Sequence, residues 1–338
     1  MLHAITTIGQ HPRGAGLHLR NLRWALADLP HRIHVQTFEA WQLEHPGVHF
    51  LTFPAADPMV FFSFWDEVGT HLESLLADAD AFLFTEQDIL FTEPLTSAMD
   101  EVQRTGAVFP GMESPYMAVF QPDGRRVYPR IWEGASLLPA ARVAEALAAG
   151  LSFGNHPRQL HPGAPLYRRF QTDLEAYWTR RQNPGTGPLV PLVQPLHEQA
   201  VDTLFEVSLY AFLHRWPVLS PPENDQDYES GAWMVHLRNP ESVHRDFPEV
   251  YQDIRVLWQL PPWYERRLND CALMFLLAGA CEPSPEVAQL LLSPPGLPLI
   301  RGKVARLEPR AGEWMSPEEW QRFTWAARVI CGSYRDRA

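Results

Sequence analysis

Two carboxylates with one residue between them close a short apolar run. Ala81, Phe82, Leu83 and Phe84 lead through Thr85 into Glu86, Gln87 and Asp88, and the chain continues as Ile89, Leu90 and Phe91. Carboxylates beside buried apolar residues are costly unless a cation or hydrogen bonds compensate them. At the exit of a central strand, an acid-x-acid pair offers the hard oxygen donors that suit Mg²⁺ or Mn²⁺. A solvated turn with incidental acids has the same spelling, so the neighbourhood matters. No Lys or Arg occurs between Arg32 and Arg104, whereas Glu39, Asp57, Asp66, Glu67, Glu73, Asp78, Asp80, Glu93, Asp100 and Glu101 all do. A phosphate pocket built by this stretch alone would repel its ligand, and a bound cation would invert the local sign. Most of the other acids are ordinary solubility charges.

Further candidates lie downstream. Glu198, Asp202 and Glu206 recur every fourth residue, with Tyr210 next. On a helix over 198–214 this spacing aligns them on one face, opposite Val201, Leu204, Phe205, Phe212 and Leu213. The stripe is either a solvated surface or an acidic wall of a cleft, where Asp202 or Glu206 acts as a base or accepts a sugar hydroxyl. Trp132-Glu133-Gly134 combines a stacking ring, an acid and a glycine that permits close backbone approach to a ligand. Arg125, Arg126 and Arg130 are solvated loop cations or phosphate contacts. His236 alternates with apolar neighbours, as a satisfied core histidine does, and its place after the last strand leaves a metal-ligand role open.

These residues need a scaffold. Apolar runs at 2–8, 32–38, 48–53, 81–84 and 107–110 read as strands. Helical periods cover 17–27, 58–77 and 95–104, with a loop over 9–16 that carries Arg13. The β-α-β order predicts an α/β fold with a mostly parallel sheet flanked by helices. Ligands in such sheets bind beyond the carboxyl ends of the strands, which places Thr6, Thr7, Glu39, Glu86 and Asp88 on one edge. Asp123-Gly124 predicts a hairpin over 116–128. Helices follow at 140–149 and 166–181, then strand stubs at 216–219 and 233–237. Segment 183–195 is dense in Pro and Gly yet holds Leu189, Val190, Leu192 and Val193, the composition of a lid that closes over a ligand. From 241 the chain reads as helical.

Composition narrows the classes. The chain has 338 residues, 46% hydrophobic and 20% charged, which are globular values with room for a large core. A net charge of -12 disfavours nucleic acid as a partner. Lys303 is the single lysine, so Schiff-base chemistry is disfavoured. Three cysteines, Cys271, Cys281 and Cys331, form no C-x-x-C pair, which fits a reducing compartment. With no signal peptide and no apolar run of spanning length, a cytoplasmic protein without a transmembrane segment is expected.

Residues 82–91 resemble the acid-x-acid strand exit of GT-A-type, nucleotide-sugar-dependent glycosyltransferases. Residues 5–13 are similar to the donor-nucleotide end of that superfamily's first strand. The later order of Asp202, a strand stub at 217–221, Asn224 and His236 is similar too. The resemblance spans about residues 1–240, as a catalytic domain, with 241–338 a helical C-terminal region outside it. It implies a GT-A-like fold and a nucleoside-diphosphate sugar as donor. Asp88 would bind Mn²⁺ or Mg²⁺ and the diphosphate, with Glu86 assisting and His236 as a further ligand. Thr6, Thr7, Arg13, Glu39 and Gln87 would contact the donor. Trp132, Glu133 and Gly134 would face a carbohydrate or other small acceptor, with Asp202 and then Glu206 as the catalytic acids. The chain departs from the pattern at Glu86, where the family carries Asp, and at Gln87. Two other functions compete: a nucleotidyltransferase on a related sheet, and a non-catalytic sugar- or protein-binding member.

Overall fold

The computed structural model describes residues 1–7, 12–38, 47–53, 64–87, 89–109, 131, 135–153, 156–157, 200–201, 204–219, 233–236 and 305–321. The hairpin at 116–128, the helix at 166–181, segment 183–195 and the stretch from 237 to 304 lie outside these residues.

The elements follow the β-α-β order. They are β1 Leu2–Thr7, α1 Pro12–Ala25, β2 His31–Phe38, β3 Val48–Phe53, α2 Phe64–Leu75, β4 Ala81–Glu86, β5 Ile89–Phe91 and α3 Thr96–Thr105. Then come β6 Ala135–Pro139, α4 Ala140–Ala148, β7 His156–Pro157, β8 Ala200–Val201, α5 Phe205–Leu213 and β9 Met234–His236. The main sheet has the order β3-β2-β1-β4-β6. It is mostly parallel and flanked by helices, the expected α/β architecture. β2 and β3 run parallel with Ile33 opposite Val48 and Phe38 opposite Phe53. Residues 2–7 of β1 and 81–85 of β4 are buried throughout, which suits the apolar run 81–84 and encloses the polar His3, Thr6, Thr7 and Thr85 as well.

Several boundaries differ from the sequence reading. α1 begins at Pro12, so Arg13 lies in its first turn rather than in a loop. Proline suits that first position because its missing N–H has no intrahelical partner there. In place of the strand expected at 107–110, the described residues 107–109 give two bridges, Val108 to Val218 and Phe109 to Leu137. β6, which runs directly into α4, has no counterpart in the sequence reading. The acidic helix over 198–214 is shorter than expected. Ala200 and Val201 form β8, and Leu204 has a φ of 59°. A leucine in the left-handed region cannot lie inside an α-helix, so α5 starts at Phe205. Of the three acids, Glu206 lies in α5, and Glu198 and Asp202 lie outside the described residues.

The chain divides into two compact units. One comprises Met1–His3, Met59–Phe84 and Ala98–Glu223. In it, Phe82 stacks on His3 at 5.6 Å and on Phe84 at 6.5 Å, and Phe84 meets Phe153 at 6.0 Å. Glu145 of α4 accepts from Trp216 Nε1 at 3.1 Å and from Arg142 at 2.8 Å. Burial pushes the Glu145 carboxyl up, but the bonds from Trp216 and Arg142 and the charges of Arg142 and His214 together hold it below the usual range.

The other unit comprises Ala4–Pro58, Thr85–Ser97 and Asn224–Ala338. Here residues 305–321 form short helical turns that join a core cluster of Leu17, Leu90, Val235, Leu307, Ala311, Trp314 and Met315. Trp24 meets Trp314 at 6.3 Å and donates to Glu313 at 2.8 Å. Arg20 pairs with Glu319. Among the described residues, no helix is long and apolar enough to cross a membrane.

Two outcomes follow. Trp314→Ala should cost about 3–5 kcal/mol, the usual range for truncating a buried aromatic, read as a lower urea midpoint. A carboxyl depressed in the folded state stabilises above its unfolded pKa, and that contribution is lost as pH falls through its folded value. Stability should therefore fall with acidification below about pH 4.3, the free glutamate value. Glu145→Gln should flatten that part of the profile in urea titrations at a series of pH values.

Candidate functional site

The polar residues of the second unit gather at the carboxyl ends of β1, β2 and β4. Thr6 and Thr7 end β1, Gln36 and Thr37 lie near the end of β2, and Thr85, Glu86 and Gln87 end β4; all but Glu86 are buried. Thr7 Oγ1 donates to Gln36 Oε1 at 3.4 Å. Gln36 Nε2 and the hydroxyls of Thr37 and Thr85 are buried without a hydrogen-bond partner in the protein. Buried polar groups normally find partners. A cluster of unsatisfied ones at this edge suits a polar ligand that supplies them.

After Glu86 the chain leaves the main sheet. β5 does not extend β4; it pairs with β9 in a separate two-stranded antiparallel ribbon. The register sets Ile89 opposite His236, Leu90 opposite Val235 and Phe91 opposite Met234. Asp88 immediately precedes Ile89 in sequence, so the backbone brings a histidine from far along the chain next to the acid triplet.

Among the described residues no strand lies beside the other edge of β5, and α1 packs there instead. His18 Nδ1 lies 2.8 Å from the Ile89 carbonyl oxygen, and His18 Nε2 lies 2.9 Å from Thr6 Oγ1. Asn21 Nδ2 donates to the Phe91 carbonyl at 3.0 Å, and Asn21 Oδ1 accepts from the Phe91 N–H at 2.6 Å. His18 and Asn21 are three residues apart, hence on the same side of the helix. Ile89 and Phe91 are two apart, hence their backbone groups point to the same edge. The intervening register faces β9, and Thr92 N continues that pairing with Trp233 O at 2.9 Å. The carbonyl of Ile89 can only accept, so His18 Nδ1 carries the proton. In the neutral ring Nε2 then accepts from the Thr6 hydroxyl.

The predicted site residues are distributed as follows. Glu86 is half-buried at the end of β4 and Gln87 is buried. The backbone of His236 lies in β9, and Arg13 in the first turn of α1. Glu206 is in the first unit, where it is buried and accepts from the Ser152 N–H at 2.8 Å. Its carboxylate ties the start of α5 to the chain before β7, rather than lining an open acidic face. Glu39, Asp88, Trp132, Glu133, Gly134 and Asp202 lie outside the described residues. Among the described residues no three His, Cys, Asp or Glu side chains form a metal-holding group. His18 and Asn21 were missed by the sequence reading. Their signal is visible in hindsight: with Ala25 they follow a helical i, i+3, i+7 spacing inside the buried stripe of α1, where leucine would otherwise stand.

No family model matches the chain, and no curated protein does. Solved structures similar to it include two of LgtC. One is an active-site mutant of LgtC, 14% identical, spanning 79% of this chain and 100% of its own, with a TM-score of 0.34. The other is the galactosyltransferase LgtC in complex with donor and acceptor sugar analogs, also 14% identical over the same shares, with a TM-score of 0.33. A likeness this distant says nothing about reaction or substrate.

Asn21→Ala would leave the buried N–H and carbonyl of Phe91 without partners, at about 1–3 kcal/mol each. Equilibrium unfolding should show a loss of about 2–6 kcal/mol, and amide exchange at Phe91 should accelerate before exchange in β2 does.

Proposed function

We propose that this protein is a glycosyltransferase that moves a sugar from a nucleoside-diphosphate sugar to a hydroxyl acceptor with the help of a divalent cation. The observation that carries this reading is the β5–β9 register, Ile89 opposite His236, which joins the acid triplet to a late histidine. Two carboxylates and an imidazole suit Mn²⁺, and with more water ligands Mg²⁺, so the residue types fit such an ion. Glu86, Asp88 and His236 would hold it. When bound, the ion supplies positive charge to the leaving diphosphate.

The chain's own residues do the rest. Gln36, Thr37 and Thr85 offer unsatisfied polar atoms at the strand ends where a donor nucleotide would lie. Thr7, Arg13, Glu39 and Gln87 complete that donor side in this reading. Thr6 contributes through its bond to His18. Trp132, Glu133 and Gly134 are assigned to the acceptor, the ring for stacking and the glycine for close approach. Because Glu206 is buried on the Ser152 N–H, Asp202 is the acid assigned to orient or deprotonate the acceptor hydroxyl.

A thermal-shift panel of UDP-, GDP- and TDP-sugars with and without Mn²⁺ tests the proposal, because a ligand that binds only the folded state raises its stability. Stabilisation should need sugar nucleotide and metal together. Asp88→Asn should abolish that joint shift and leave the unliganded melting curve in place; an unchanged shift would remove Asp88 from the site. Asp202→Asn should lower turnover about a hundredfold, the scale of general acid-base catalysis, with donor affinity nearly constant. Release of inorganic pyrophosphate from a nucleoside triphosphate would instead indicate a nucleotidyltransferase.

A further inference from the structure

β5 is three residues long and follows an acid triplet that would have to hold its shape against its own negative charge. One edge is fixed by β9. The opposite edge is fixed by side chains of α1: His18 bridges Thr6 of β1 to Ile89, and Asn21 grips both backbone groups of Phe91. All three of these side chains are fully buried. The bond to the Ile89 carbonyl falls on the residue next to Asp88 and opposite His236.

We propose that His18 and Asn21 are positioning residues of the cation site, with Thr6 holding the orientation of the His18 ring through Nε2. Thr6 donates to Nε2, Nδ1 donates to Ile89, and the carbonyl of Ile89 is held so that Asp88 and His236 meet one ion. The inference rests on the reading of Glu86, Asp88 and His236 as that ion's ligands. Loss of a group that orients metal ligands typically weakens metal affinity by about 10–100-fold.

The two ring nitrogens can be separated by substitution. The amide nitrogen of asparagine lies as far along the side chain as Nδ1, and that of glutamine as far as Nε2. His18→Asn can therefore keep the Ile89 bond, whereas His18→Gln cannot place a donor there. Thr6→Val preserves shape and removes only the hydroxyl, and serves as the measurement should His18→Gln fail to fold. Mn²⁺ binding to the full chain is titrated alone, by loss of the free-ion paramagnetic resonance signal, with circular dichroism and melting recorded for each variant. His18→Asn should bind Mn²⁺ within about threefold of the unmodified protein. His18→Gln should bind about tenfold or more weakly, and Thr6→Val measurably more weakly than the unmodified protein. Unchanged Mn²⁺ affinity in both His18→Gln and Thr6→Val would overturn the positioning role and leave the proposed function standing. Equal loss in His18→Asn and His18→Gln would overturn it too, because the Ile89 bond would not be the carrier. Absence of Mn²⁺ binding to the unmodified protein would overturn the proposed function along with it.

Discussion

A strand that carries functional residues away from its sheet exposes a backbone edge, and a buried edge must be satisfied. β5 meets this constraint on both sides at once. β9 supplies a backbone partner on one edge, and His18 and Asn21 replace a third strand on the other. Each such bond is worth about 0.5–1.5 kcal/mol net, but leaving a buried group unmade costs more than making it gains. The arrangement is therefore enforced less by attraction than by the cost of every alternative. A shift of β5 by one residue would unpair Ile89 and Phe91 together and turn Leu90 away from the core that it shares with Val235.

The same ribbon organises the hydrophobic side of the unit. Leu90 and Val235 are register partners, and both enter the cluster with Leu17, Leu307, Trp314 and Met315. Residues 305–321 thus act as a cover over the pair of strands that would present the cation ligands. Trp24 reinforces the cover by combining ring contact with Trp314 and a hydrogen bond to Glu313. Helix α1 consequently links the described polar and apolar parts: one stretch of it, from Leu17 to Trp24, contacts the β5 backbone, the end of β1 and the C-terminal turns.

Much of the framework was legible in the sequence, for a physical reason. Residues 81–84 of β4 are apolar throughout, and β1, β2 and β3 carry enough apolar residues, such as Ile5, Ile33, Val35 and Leu51, to read as strand runs. Their limits in the structure fall within a residue or two of those runs. The acid triplet was legible because its charge contradicts its neighbourhood. What sequence periodicity cannot carry is a partner. Residues 89–91 look like a continuation of β4, and nothing local says that they pair with 234–236. The helix over 198–214 failed for another reason. Its apolar spacing continues through Leu204, whose positive φ ends any helix, and a residue's dihedral is not written in its hydrophobicity. His18 and Asn21 went unread because the groups that they bond on β5 belong to the backbone, which has no sequence signature.

The account stands on the acid triplet and His236 sharing one cation. Paramagnetic line broadening by Mn²⁺ addresses this most directly. In protein labelled on its histidine rings and backbone amides, substoichiometric Mn²⁺ should broaden His236 and residues 86–91 first. An excess of Mg²⁺ should reverse the effect, and Asp88→Asn should abolish it. Broadening that begins at other acidic positions, such as Asp78 and Glu101, while His236 stays sharp would contradict the account.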